Sequence, residues 1–286
     1  MKRNKLNYLI GLTLFLMSIV FFCMQIVFLY INANFQVEYI DNRLFYIINM
    51  TLAICLLISI YFLIKQSKKL KVTYSIILII FIVSQIIMVI ISEQKISNMT
   101  SISPDFKHVF SIKENVKTGE SLYYRSYYGI LAKPKEKLPY HKVGNFKVEW
   151  IEKDIAAITY KTAEETIQQY IGTYGDRGDG VSYYYVGAEI HGVWSGENIE
   201  VVSNTEGISV TENGHKELFS WDSIEQFGTL AIVLKRENQA IWTIGLHTNF
   251  EVQSNSTKPA VGNISLYKAT MSKIEPVRLH FKTSTQ

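Results

Sequence analysis

Three stretches of this chain carry no charged residue: Tyr8–Ile31, Leu44–Ile64 and Val72–Ser92, of 24, 21 and 21 residues. At 1.5 Å per residue, 21 helical residues reach about 30 Å, the thickness of a bilayer's hydrocarbon core. One such run is compatible with a buried helix of a soluble protein. Three in succession, joined by loops of 12 and 7 residues, argue against that and predict a three-helix transmembrane bundle over residues 1–92. The first run is also too long for a signal-peptide core, and no small-residue cleavage site follows it.

Charge separates this part from the rest. Residues 1–92 hold eight Lys and Arg against two Asp and Glu, whereas residues 93–286 hold 21 against 23. A nucleic-acid surface needs basic residues gathered on the folded domain; here they flank the apolar runs, which excludes that class of partner. Lys2, Arg3 and Lys5 precede the first run, and Lys65, Lys68, Lys69 and Lys71 fill the second loop, while the first loop offers only Arg43 with Glu38 and Asp41. Basic residues stay cytoplasmic, so the N-terminus and second loop are expected inside and residues beyond 93 outside. The four lysines of the second loop are also candidates to lie against anionic lipids of the inner leaflet.

The apolar runs contain no Asp, Glu, Lys, Arg or His and no proline, and Gly11 is their only glycine. Ion pathways need charges at depth, and broken-helix transporters need helix breakers. An anchor or interaction bundle is therefore expected. Gln25, Asn49 and Gln85 fall at similar depths, about 8–10 Å below the outer boundary at 1.5 Å per residue. Amides in hydrocarbon seek partners, which predicts a shared polar layer.

Residues 93–103 read as a polar linker. Residues 104–286 show period-2 patterning with β-branched and aromatic enrichment and predict a strand-rich extracytoplasmic domain, a β-sandwich or curved sheet. One of the expected strands covers 181–193, and one short helical turn is expected from Asp222. The segment SPDFKHVFSIKE at 103–114 resembles the turn and strand of β-propeller blades, so a partly propeller-like arrangement is the alternative. A propeller takes about 40–50 residues per blade and at least four blades, which this domain barely accommodates. Both cysteines, Cys23 and Cys55, lie in the apolar runs. An outer domain without disulfides fits a bacterial cell surface better than an animal secreted protein.

Motifs for nucleophilic, metal-dependent or nucleotide chemistry are missing, and no two of the six histidines are closer than 24 residues. No cofactor is expected. In YGDRGDG, Asp176 and Asp179 match the ligand types of a calcium loop, but the spacing is not that of an EF-hand. A glycine-rich hairpin loop is the better reading. Tyrosines cluster at 123–128 and 183–185. On a strand, Tyr183 and Tyr185 share a face with Glu189 and His191, which makes these four the candidate ligand-binding strip. The expected function is a membrane-anchored binding or sensing module for an unknown extracellular ligand or membrane partner protein. The alternatives are an accessory subunit of a membrane complex and a surface hydrolase using His191 with Glu189.

Overall fold

The computed structural model describes residues 5–177, 183–252 and 261–283. The chain forms two compact units, residues 1–100 with 111–137, and residues 101–110 with 138–286.

The first unit begins with the three apolar helices. α1 is Lys5–Phe35, α2 is Arg43–Leu63 and α3 is Lys68–Lys95, and each is long and apolar enough to cross a membrane. α2 packs against both α1 and α3. At Gly11 of α1 the helices approach so closely that a Cβ would lie 2.7 Å from the Phe62 Cβ. α3 starts at Ser67, whose hydroxyl accepts from the Leu70 N–H at 3.3 Å, a normal N-cap. Lys68, Lys69 and Lys71 follow in its first turn. Positive charge there opposes the helix dipole, so intrinsic helix stability does not explain their presence.

A five-stranded antiparallel sheet completes this unit. Its strands are β1 (Glu38–Tyr39), β2 (Ile96–Ile102), β3 (Val109–Asn115), β4 (Ser121–Tyr128) and β5 (Leu131–Lys137), in the order β1-β5-β4-β3-β2. β1 lies in the loop between α1 and α2, and pairs Glu38 with Ala132 and Tyr39 with Leu131. The stretch 93–103, expected as an irregular linker, is instead the last turn of α3 and β2. Its polar side chains explain the order. Asn98 accepts from the Asn42 N–H at 3.2 Å and donates to Glu93 at 3.0 Å, and Thr100 donates to Asp41 at 2.7 Å.

The second unit has two antiparallel sheets. β6 (Lys142–Glu152), β7 (Ile155–Thr162) and β8 (Ile167–Thr173) form a three-stranded sheet. The larger sheet contains β9 (Gly192–Ser195), β10 (Ile199–Asn204), β11 (Gly207–Glu212), β12 (His215–Ser220), β13 (Ile224–Phe227), β14 (Ala231–Arg236), β15 (Gln239–Leu246), β16 (Asn263–Lys268) and β17 (Val277–Thr283). Their order is β12-β11-β10-β9-β17-β16-β15-β14-β13. The sheet curls until it is nearly closed, with β12 against β14 and a 3-10 turn, Trp221–Ser223, joining the end strands β12 and β13. This is one continuous sheet, not the separate four-stranded blades of a propeller.

Strand β14 shows why the two layers hold. Ile232 and Leu234 point into the curl, to a core centred on Trp194, while Ala231 and Val233 point outward to a second core with Ile155, Ala157 and Ile171 of the smaller sheet. Each fully buried aliphatic side chain contributes about 1.5–3 kcal/mol. Gly245 admits the smaller sheet, since a Cβ there would lie 3.0 Å from the Ile155 Cδ1. Residues 183–193, part of the expected strand, instead run extended without pairing, turn through the short helix α4 (Val186–Glu189) and enter β9. Gly187 allows this, because Trp221 occupies the place of its Cβ at 2.4 Å.

Candidate functional site

A cleft of the second unit opens where two hairpin turns meet the start of β17. The β9–β10 turn, Gly196–Asn198, closes with the Gly196 N–H donating to the Ile199 carbonyl at 2.8 Å. The β11–β12 turn is Asn213–Gly214, with φ of +51° and +82°, the left-handed pair that a tight hairpin demands and Asn-Gly supplies. The Asn213 N–H donates to the Asn198 carbonyl at 3.1 Å, which sets the turns side by side. The cavity between them measures about 750 Å³, within the range of small-molecule sites.

Most of its lining residues carry polar side chains, while carbon atoms make up the greater part of the wall they expose. Glu197, Asn198 and Asn213 come from the turns, Glu212 from the end of β11, and Arg278 and His280 from β17, with Ile199 and Val277 as apolar floor. Two side chains are braced from outside the cleft. Lys268 donates to Glu212 at 2.6 Å, and the His280 Nδ1 lies 2.8 Å from the Asn263 Oδ1. Carboxylates, amides, a guanidinium and an imidazole offer both donors and acceptors, which suits a polar ligand held by hydrogen bonds.

The four residues expected to form a ligand strip lie elsewhere, and α4 takes Glu189 off the strand path that would align them. Tyr183 and Tyr185 are 66% and 41% exposed, while Tyr184 between them is buried in the core. Gln226 of β13 holds this segment. Its Nε2 donates to the Tyr183 hydroxyl at 3.1 Å and the Tyr184 carbonyl at 3.0 Å, and its Oε1 accepts from the Val186 N–H at 2.9 Å. Partial burial raises the Glu189 carboxyl above its ordinary value, and His191 is exposed just beyond α4.

Of the calcium-loop candidates, Asp179 lies outside the described residues and Asp176 is exposed. Between them Arg177 turns inward. Its guanidinium makes a two-pronged pair with Asp154 at 2.6 and 2.8 Å and donates to the carbonyls of His247 at 2.9 Å and Leu246 at 3.1 Å. Close by, the Ser265 hydroxyl donates to Glu152 at 2.5 Å, and the His247 Nε2 lies 3.7 Å from the same carboxylate. The carboxylate therefore sits between serine and histidine, whereas nucleophile activation requires the histidine in that place. Ser265 is 3% exposed, so this cluster serves the core. Among the described residues, no group of three or more His, Cys, Asp or Glu is placed to hold a metal.

In the first unit, the Gln25 Nε2 donates to the Asn49 Oδ1 at 3.0 Å and to the Phe45 carbonyl at 2.8 Å, and the buried Tyr39 hydroxyl donates to the Gln25 Oε1 at 3.0 Å. Gln85 does not join them: its Oε1 is buried without a partner among the described residues. Lys65, Lys68, Lys69 and Lys71 are exposed at the other end of the helices. Lys113, 3% exposed, donates to Glu38 at 2.6 Å, the Tyr39 carbonyl at 2.7 Å and Asn42 at 2.7 Å, and lies over the Tyr124 ring. Burial lowers its pKa, against the pull of Glu38.

Sequence reasoning missed the cleft residues because they come from three separate stretches, near 197, 213 and 278. The Asn213–Gly214 pair was the one local signal, and it marks a turn rather than a site. No protein-family model, curated protein or solved structure matches this chain.

Proposed function

We propose that this chain is a membrane-anchored module of a bacterial cell surface whose β-rich C-terminal part lies outside the cytoplasm and binds a polar cell-wall ligand in the cleft between the β9–β10 and β11–β12 turns. The observation that carries the anchoring is α3: 28 residues long, almost wholly apolar along its middle, and without one buried residue. An apolar helix that its neighbour α2 covers on one side only leaves a long apolar surface in need of hydrocarbon. The pairing of β1 with β5 supports the sidedness. It puts the α1–α2 loop and residues 131–132 at one end of the helices, as three crossings require, and leaves the lysine-rich loop at the other end, where basic residues mark the cytoplasm. The mixture of donors and carboxylates in the cleft favours sugars and short peptides over purely apolar ligands.

The test uses single cysteines in a background lacking Cys23 and Cys55. On intact cells a membrane-impermeant maleimide should modify Glu197→Cys, but Lys69→Cys only after permeabilisation. Soluble peptidoglycan fragments should slow the reaction at position 197. Reversed sidedness would overturn the topology, and a rate indifferent to the fragments would overturn the cell-wall ligand. An accessory role in a membrane complex is the second reading. It is favoured by the apolar surface of α3 that α2 leaves uncovered, which a neighbouring protein's helix would cover as well as lipid does.

A further inference from the structure

We propose that the β1 end of α1 and the β4–β5 hairpin together bind one anionic phospholipid of the outer leaflet. The inference rests on the membrane reading above and adds a ligand, a leaflet and a site to it.

A cavity of about 290 Å³ opens between these elements. Ile31 and Phe35 of α1, Val37, and Tyr127, Tyr128 and Leu131 of the hairpin form its walls. Much of this surface faces outward: Phe35 is 57% exposed, Tyr127 56% and Tyr128 72%. The slot continues the apolar side of α1 past Ile31, and tyrosines gather where a bilayer meets water. Its apolar walls fit a stretch of acyl chain.

The charge beside the slot is the second and independent observation. Arg125 of β4 stands directly opposite Lys133 of β5. Cross-strand partners hold their Cβ atoms about 5 Å apart, and like charges so placed repel. Two other basic side chains of this sheet are compensated, Lys113 by Glu38 and Lys137 by Glu120. Among the described residues no carboxylate pairs with Arg125 or Lys133. A β-bulge inserts Tyr127 between Ser126 and Tyr128 with no residue opposite, and the Lys133 ammonium lies 4.6 Å from the centre of its ring. The bulge thus brings an aromatic wall of the slot under one of the two cations. A phosphate bridging Arg125 and Lys133 removes the repulsion through charge-assisted hydrogen bonds. An anion attached to an apolar chain, at the height where α1 leaves the hydrocarbon, is a phospholipid. A free phosphate uses the cations and leaves the walls wet.

The full chain in mild detergent would be titrated with phosphatidylglycerol, with phosphatidylcholine of the same acyl chains, and with inorganic phosphate, and bound species counted by native mass spectrometry. Wild type should hold one phosphatidylglycerol roughly tenfold more tightly than phosphatidylcholine, as two charge-assisted bonds permit. Arg125→Gln with Lys133→Gln should reduce that preference to about twofold or less. Arg125→Lys with Lys133→Arg should keep it, as should a variant with Gln at Lys65, Lys68, Lys69 and Lys71. In parallel, a nitroxide on Ile80→Cys, 64% exposed in α3, would report whether the helices lie in lipid when the full chain is in vesicles. A helix probe in water would overturn the membrane reading and this proposal with it. A helix probe in lipid, together with no preference in wild type or an unchanged preference in the double glutamine variant, would overturn the lipid site alone. Displacement of phosphatidylglycerol by equimolar inorganic phosphate would do the same.

Discussion

Arg177 shows how far one side chain's role lies from its local sequence. In YGDRGDG it sits between two acidic residues and spells, with its successors, the tripeptide of an adhesion motif. In the structure its guanidinium is tied to Asp154, 23 positions earlier, and to the carbonyls that end β15. Both members of the ion pair are 8% exposed. Removing one partner of such a pair strands a buried charge, which costs about 3–5 kcal/mol. Arg177→Met is therefore expected to lower the stability of the C-terminal unit by that amount in denaturant unfolding of the full chain. Asp176→Ala, one residue away and exposed, should change it by less than about 0.5 kcal/mol. Equal effects would mean that the loop, and not the ion pair, is what matters. No rule of spacing picks Asp154 from the other carboxylates, because the β6–β7 turn and the end of β15 meet Arg177 only in the finished fold. The same reason hides the cleft: Glu197, Asn213 and Arg278 each look like ordinary turn or edge residues.

At the scale of elements, legibility follows the strength of the local pattern. The helices were readable because charge-free runs of more than 20 residues have few other uses. Strands such as β10 and β14 were readable because one or both faces are buried. β12, His215–Ser220, was missed, since Phe219 is its only buried residue and the others look like loop. α4 was missed because Val, Gly, Ala and Glu carry no signal that outweighs the tyrosines before them; Trp221 and Gln226, from distant segments, decide its shape. β2 was read as a linker because its polar side chains, Asn98 and Thr100, bond to the α1–α2 loop and not to solvent. Small buried residues mark the packed faces of the helices, Gly11 and Ser18 on α1 and Ser59 on α2. Gly11→Leu must displace Phe62, and overpacking of this kind costs about 1–3 kcal/mol. Its thermal midpoint in detergent should fall well below wild type, while Ile19→Leu, on an exposed face of α1, should leave it unchanged. Equal midpoints for both would show that α1 and α2 do not meet at Gly11.

For the molecule as a whole, the break between compact units does not coincide with the end of the last helix. Residues 111–137 belong with the helices, because β5 needs β1 and Lys113 needs Glu38 and Asn42. A fragment of residues 96–286 therefore keeps the curled sheet and the β4–β5 hairpin but loses β1, the other partner of β5, and the counter-charge of Lys113. Limited proteolysis of that fragment should cut within 111–137 and spare the strands beyond 142, whereas the full chain in detergent should resist cleavage at both. Uniform protection of the fragment would show that β1 is dispensable. The β1–β5 pairing also has a consequence for biosynthesis. Glu38 leaves the ribosome some 75 residues ahead of its partner Lys113, with two helices still to be made in between. In the proposed topology the sheet is completed only if both segments have been delivered to the same side of the bilayer. In that topology a chain inserted with one helix missing or reversed strands Lys113 without its counter-charge and leaves β5 as an unpaired edge, open to pairing with another chain. Two residues of a loop, Glu38 and Tyr39, thus make the completion of this sheet, in the proposed topology, depend on every helix before it.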